Sequence, residues 1–562
     1  MRLELDEARR LTGPNLLWDK PGAIVDVFIA DIDKHKVVNV WQSWVAKLLA
    51  EFGWQQQTTY RLHSEGANLA LSAPIDALYC ACDLAELAWH CCVAELIGET
   101  TPDWLQRLSE LREELAEELN PELISLMHEA HKHGVSCIVD DDEVSLGMGK
   151  SSHTWPSRAL PKLADIQWQQ YQDIPRVFVT GTNGKSTSVR LASHIAKAAG
   201  YVAGVTSTDF IRVGEHIIDT GDYSGPGGAR MLLRDPRTEL AFLEVARGGI
   251  LRRGLPLESV DAALITNVAS DHLGQYGINT VAELAETKFV VAKGLNAQGT
   301  IVLNADNALV IEQGLKLDNK LCWYSTDESN VLVQSQLKSG GAAVFMRNKH
   351  IVYAVDNQEE NIASLEEVPM TLNGAAQHNV QNALGVVGLC KALNLSTEAI
   401  RIGLKDFGSN AADNPGRGNV YEINGIKVLV DFAHNEHSMR AVVKTINQLP
   451  AKRKIAMFSH AGDRSDKEIF DLTAAVTELD ASLYVVTELE RYLRGREIGE
   501  VPAIVGQYLQ QKSVPPEKIQ FAADALEGTK IAMNFAQPGD VVLLFVLADR
   551  EQVHEYLTQK SN

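Results

Sequence analysis

Arg176–Gly200 reads RVFVTGTNGKSTSVRLASHIAKAAG. Val177 to Val179 form the short apolar run of a buried strand, and the Gly-Thr-Asn-Gly turn closes it sharply. From Lys185 the Ala, Leu and Ile spacing is that of an amphipathic helix, which Gly200 ends. Such a unit is a phosphate cradle. Glycines let the backbone approach an anion, Gly181, Thr182, Asn183 and Gly184 turn their N–H groups toward it, and Lys185 neutralises terminal phosphates. Ser186 or Thr187 supplies a hydroxyl for Mg²⁺. Val179 stands where a full Walker loop has its first glycine, so this is the shorter G-x-x-G-K-[ST] form.

Working outward, 562 residues are enough for three or four domains, each with its own core. Formal net charge is −21, from 52 basic and 73 acidic residues, which argues against nucleic acid or an anionic membrane as partner. No apolar run reaches the roughly 20 residues of a membrane helix, and MRLELDEARR has no apolar core of a leader, so a cytoplasmic protein is expected. Seven cysteines fit a reducing compartment. Cys80, Cys82, Cys91 and Cys92 lack C-x-x-C spacing and read as small hydrophobes.

Residues 1–165 read as an α+β domain. GAIVDVFIADID alternates like a strand, and VVNVWQSWVAKLLAEFG is a helix ended by Gly53. A further helix is expected after Thr101 as N-cap, with Trp104, Leu108, Leu111, Leu115 and Leu119 on one face. Asp140 to Glu143 read as a solvated acidic turn, and Ser151 to Pro161 as a linker.

Residues 166–412 alternate strands and helices, the pattern of a mostly parallel sheet covered on both faces. YVAGVTST, LAFLEVA, VDAALITNV and GTIVLNAD are apolar enough to be buried strands. Ligands in such sheets lie beyond the strands' carboxyl ends. That is where Glu244, Asn267, Asp271 and His272 fall. A Glu in an apolar strand needs a partner, and Mg²⁺ is a natural one. Residues 413–562 read as a smaller α/β domain, with a hairpin turning at Asn424-Gly425 and strands KIAMFSH, ASLYVVTE and DVVLLFV.

GTNGKST, FLEVARGG, TNVASDHLG, ELAETKFVV, GAAQHNVQNAL, NPGRGN and VDFAHNEHS occur in the order of the Mur ligase family, which this chain resembles. TGDYSGPGGARMLLRDP with ARGGILRRGL, and RRLTGPNLLWDKPGA with VSLGMGK, are similar to the Mur-type half and N-terminal domain of the cyanophycin synthetases. Those enzymes carry an ATP-grasp module between the two parts, and here Lys150 runs within a short segment into the strand at Arg176, leaving no room for it.

The resemblance implies a central P-loop ATPase domain closed over by the C-terminal domain, with ATP between them. Lys185 would meet the terminal phosphates, Ser186 and Glu244 would hold one Mg²⁺, and His272 would sit near a second. Lys288 stands where many members carry a carbamylated lysine, although by residue type alone it is a solvated helix lysine. Asn379 and Asn382 would lie near the adenine, or serve as helix cap or surface amide. Arg417 would reach the γ-phosphate and Asp431 the ribose. His434, Asp463 and Arg464 would face the same cleft or stabilise turns, and LRGRE at 493–497 would help place the incoming amino acid.

The activity so implied is a two-step ligation through an acyl phosphate, joining an amino acid, with arginine as the leading guess, to a carboxylate or short peptide. A homo-oligomer is expected. Two other readings stand beside it: a catalytically silent nucleotide-binding subunit of a complex with a separate ATP-grasp enzyme, and a transport-type or regulatory P-loop ATPase.

Overall fold

The computed structural model describes residues 1–356, 358–408 and 412–561. Arg176–Thr180 lies inside an eleven-stranded sheet, parallel to Leu240–Glu244 on one side and Val260–Ile265 on the other. All five of its residues are buried. Phe178 packs into the apolar layer on one face, and Val177 and Val179 into the layer on the other. This is the period-2 alternation of a strand covered twice. From Ala203–Thr206 to Ala342–Arg347 the neighbours run parallel, and antiparallel strands close both ends of the sheet.

The C-terminal sheet has six strands. Asn419–Ile423 and Ile426–Asp431 form the expected hairpin, with Asn424 and Gly425 both at positive φ (51° and 79°) and Ile423 paired with Ile426. That conformation is the tight turn which asparagine and glycine tolerate best. The remaining ladders are parallel.

The N-terminal four-stranded antiparallel sheet runs Arg2–Leu11, Gly22–Ala30, Gly66–Ser72, Thr58–His63. Helices Lys34–Phe52 and Leu78–Ile97 cover it, and Gly53 ends the first at φ 85°. Cys80, Cys91 and Cys92 pack in this core beside Trp41 and Trp89. Four expectations change here. Arg2–Leu11 is a strand that the sequence reading leaves out. The helix expected after Thr101 is Trp104–Glu118, and Asp103 caps it by accepting from Gln106 N; Leu108 and Leu111 are buried, whereas Leu119 lies past the end, 38% exposed. In the acidic run Asp141, Asp142 and Glu143 are exposed as expected, but Asp140 is not left to solvent, because it pairs with Arg230 and Arg234 at 2.6 Å each. Finally, the linker contains a strand, His153–Pro156, in a three-stranded sheet with Cys137–Val139 and Glu143–Leu146.

The loop that follows strand Arg2–Leu11 is bonded through backbone to the end of helix Arg247–Arg253 and the residues after it. Thr12 N donates to Arg253 O at 2.8 Å and Leu255 N to Pro14 O at 2.7 Å. Arg61 adds an ion pair to Glu283 at 2.7 Å. Gly13 is where the two backbones touch, since a Cβ there would lie 2.4 Å from Leu255 O. A carbonyl held in place cannot yield, so Gly13→Ala should cost about 1–3 kcal/mol. We expect a lower midpoint for the first transition in differential scanning calorimetry; an unchanged midpoint would show that this contact is slack.

Candidate functional site

The carboxyl ends of Arg176–Thr180, Ala203–Thr206, Leu240–Glu244 and Val260–Ile265 face the C-terminal sheet across a cleft of about 1210 Å³. The loop after Arg176–Thr180 is held open by its glycines. Gly181 and Gly184 have φ of 146° and 86°, and a Cβ on them would meet Thr266 Oγ1 at 1.9 Å and Asn382 Oδ1 at 2.2 Å. Thr266 Oγ1 and Asn267 Nδ2 donate to Asn183 O at 2.6 and 3.0 Å, and Asn183 N donates to Asn267 Oδ1 at 3.0 Å. The loop is thus pinned from the next strand, with helix Lys185–Ala198 beginning at its mouth.

Lys185 Nζ donates to Thr182 O at 3.1 Å and stands 4.0 Å from Glu244 Oε1, too far for a hydrogen bond. Glu244 is 2% exposed, and among the described residues neither carboxylate oxygen has a hydrogen-bond partner. Burying such a group uncompensated is costly. With the Ser186 hydroxyl lining the same cleft, these hard oxygen donors fit a divalent cation such as Mg²⁺. Ser186 Oγ lies 3.2 Å from Thr208 Oγ1, and Thr187 Oγ1 accepts from Asn414 Nδ2 at 3.1 Å.

Lys288 is buried on helix Val281–Phe289, not a solvated helix lysine, and its Nζ donates to Gly181 O at 2.8 Å. Burial first, then the charge of Lys185, push its pKa well below that of an ordinary lysine. A neutral amine is the form that reacts with CO₂. One ligand atom each from Asp271, His272 and His434 lie within 4.8 Å of one another, a grouping of the kind that holds a metal ion. Burial lowers both histidines' pKa and so favours the neutral imidazole. His434 Nδ1 is 3.0 Å from Phe432 O, which only accepts, so Nε2 keeps its lone pair. Burial opposes ionisation of Asp271, but His272, His434 and the two lysines outweigh it and hold its carboxyl below the usual value.

The far wall comes from the C-terminal sheet. Arg417 Nη2 donates to Thr208 Oγ1 at 3.2 Å, and Asp431 lies at the end of Ile426–Asp431 with its Oδ1 accepting from Ala433 N. Burial raises the Asp431 pKa to about 6 against those hydrogen bonds and Arg417. Asn379 and Asn382 are buried on helix Gln377–Ala392 and line the cleft; neither is a surface amide or the cap of that helix. Asn379 Nδ2 donates to Met370 O, and Asn382 Nδ2 to Asn379 Oδ1. Asn183 and Asn435 exchange amide hydrogen bonds of 3.3 and 2.8 Å across the cleft. Asp463 pairs with Arg494, and Arg464 donates to His434 O at 2.9 Å, which fastens these turns as well as lining the cleft.

The residues given a site role from the sequence line this cleft, except Gly181, which lies behind it as acceptor for Lys288, and most of LRGRE: only Arg494 of 493–497 reaches the cleft, while Arg496 pairs with Asp466 and Glu500. Sequence reasoning assigned no role to Asp209, Arg190, Arg550 or Asn435. Asp209 directly follows the strand end in YVAGVTST, which is where the rule for parallel sheets would have flagged it. No local signal marks Arg550. Among the described residues, no helix is long and apolar enough to cross a membrane.

Residues 179–390 match the family model described as Mur ligase middle domain, and residues 416–545 that described as Mur ligase, glutamate ligase domain. Cyanophycin synthetase of Trichormus variabilis is 32% identical over 409 residues, 72% of this chain and 45% of that protein. The chain therefore spans less than half the length of that relative. UDP-N-acetylmuramoyl-L-alanyl-D-glutamate–2,6-diaminopimelate ligase of Geobacillus kaustophilus is 25% identical over 438 residues, 74% of this chain and 82% of that enzyme. The solved structure of E. coli FolC in complex with DHPP and ADP shares the fold at TM-score 0.50 and 17% identity, covering 69% of this chain and 89% of that one. The cleft, the motif order and both matched domains agree that this chain belongs to the Mur ligase family.

Proposed function

We propose that the chain is an ATP-dependent carboxylate–amine ligase that joins an amino acid to a carboxylate of an amino acid or peptide through an acyl phosphate. One observation carries this reading: Lys185, the unpartnered Glu244, Lys288, Arg417 and Asp431 converge on one cleft between two sheets. A bare hydrolytic ATPase has no use for the second sheet's Arg417 and Asp431. The working division is residues 1–165, 166–412 and 413–562, with ATP between the last two.

In this scheme the loop from Gly181 to Thr187 cradles the phosphates, Asn379 and Asn382 flank the adenine, and Asp431 accepts from the ribose hydroxyls. A carboxylate oxygen of the acceptor attacks the γ-phosphorus and ADP leaves. The amine then attacks the acyl carbon, phosphate departs and the nitrogen loses a proton. Lys185 and Arg417 offset charge on the transferring group, and the C-terminal sheet excludes water from the acyl phosphate. Ser186 and Glu244 would hold one Mg²⁺, and His272 with a carbamylated Lys288 a second, beside Asp271 and His434. Bound Mg²⁺ would supply further charge stabilisation on the phosphoryl oxygens.

Substrate chemistry follows from the walls. Arg247, Arg252 and Arg253 line one side, which suits an acidic acceptor; on the opposite wall Asp463 is paired with Arg494 and Glu468 accepts from Ser465, so arginine as the amine rests on the resemblance and not on an acidic pocket. The chain's similarity to cyanophycin synthetase over part of that protein supports the same choice.

The test is ATP-dependent phosphate release against a matrix of amino acids and short acidic peptides, with mass spectrometry of products. We expect a product heavier by one amino acid less water for a specific pair, and none from Lys185→Ala of unchanged circular dichroism. ATP binding without any product, even when an ATP-grasp enzyme supplies the acceptor, would instead favour the catalytically silent subunit. Lys288→Ala should lose most turnover and regain part of it with short carboxylic acids; failure of rescue in folded protein counts against carbamylation. Asp431 must be ionised to accept from ribose, so nucleotide affinity should fall as pH drops through about 6. In Asp431→Asn that step should vanish from titration calorimetry, and its persistence would assign the step to another group.

A further inference from the structure

Asp209 gathers three guanidiniums from three distant parts of the chain. Arg190, on the helix that follows the loop, reaches Oδ2; Arg417 Nη2 lies 3.4 Å from the same oxygen; Arg550 Nη2 donates to Oδ1 at 2.7 Å. Arg417 and Arg550 both hold their guanidinium carbons 4.9 Å from the Phe432 ring centroid. Behind them, Arg190 Nη1 donates to Asn414 Oδ1 at 3.0 Å, and Asn414 Nδ2 donates to Arg417 O at 3.2 Å as well as to Thr187 Oγ1. The cluster therefore connects the loop helix, the entry to the C-terminal sheet and the last helix, Arg550–Ser561.

One carboxylate among three guanidiniums leaves a net positive charge, and without it the cations repel one another at short range. Asp209 organises these charges rather than cancelling them. It also lines the cleft, and Arg417 is one hydroxyl removed from Ser186, through Thr208, with its own buried Nε lacking a hydrogen-bond partner among the described residues.

We infer that Asp209 is the positioning residue that aims Arg417 at the transferring phosphate, and that through Arg550 it latches the C-terminal sheet over the loop. The first half rests on the ligase reading; the latch does not. Mg-AMPPNP affinity by titration calorimetry and kcat for phosphate release are measured for the wild type, Arg417→Ala, Asp209→Asn and the double variant. If Asp209 acts through Arg417, Asp209→Asn lowers kcat by at least about 10-fold, and the double variant is within about 2-fold of Arg417→Ala. Wild-type kcat in Asp209→Asn, or losses that multiply in the double variant, would overturn the inference.

Should Asp209→Asn fail to fold, Asp209→Glu and Arg550→Ala replace it. The glutamate should recover more turnover than Arg417→Ala shows, and Arg550→Ala should enlarge the radius of gyration in small-angle scattering. Turnover in the glutamate variant no better than Arg417→Ala, or an unchanged radius in Arg550→Ala, would overturn it. A wild type that binds no nucleotide would sink the ligase reading, and the scattering comparison would still decide the latch.

Discussion

Burial of Arg176–Thr180 on both faces is the constraint from which the rest follows. A strand so covered leaves polar chemistry no place on its own length, and in a parallel sheet the place left is beyond its carboxyl end. The strands beside it run in the same direction, so their loops arrive at the same edge. Glu244, Thr266 to His272 and Thr208-Asp209 stand round one turn for this reason.

What gathers there would be unfavourable anywhere else in the protein. Glu244 is buried without a hydrogen bond, and Lys288 is held in surroundings that disfavour its charge. In a chain of net charge −21, the cleft lining carries ten lysines and arginines beside eight acids, a local balance that the whole chain does not have. The site is thus preorganised for a polyanion, with its electrostatic cost met by packing in the two layers behind the sheet.

Much of this was legible in one dimension because the signals are local. The glycine turn, the Glu inside LAFLEVA and the Asn-Gly hairpin each announce themselves within a few residues. Arg2–Leu11 did not, because a register shift between Leu5 and Glu7 breaks its alternation. For Trp104–Glu118, Thr101-Pro102 and Asp103 are both helix-start signals, and only the bond from Gln106 N to the Asp103 side chain decides between them. The pairing of Asp140 with Arg230 and Arg234 joins distant parts of the chain and leaves no local mark. The pairing of Asp209 with Arg550 spans 341 residues and has no sequence period to betray it.

The amide pair between Asn183 and Asn435 has a consequence for registration. Asn183 belongs to the turn after Arg176–Thr180, and Asn435 caps helix Glu436–Gln448, its Oδ1 accepting from Ser438 N as well as from Asn183. That helix is therefore tied to the loop at the same atom that starts it. A shift of either element strains a cap and a turn together, so the two sheets' contributions to the cleft keep one alignment.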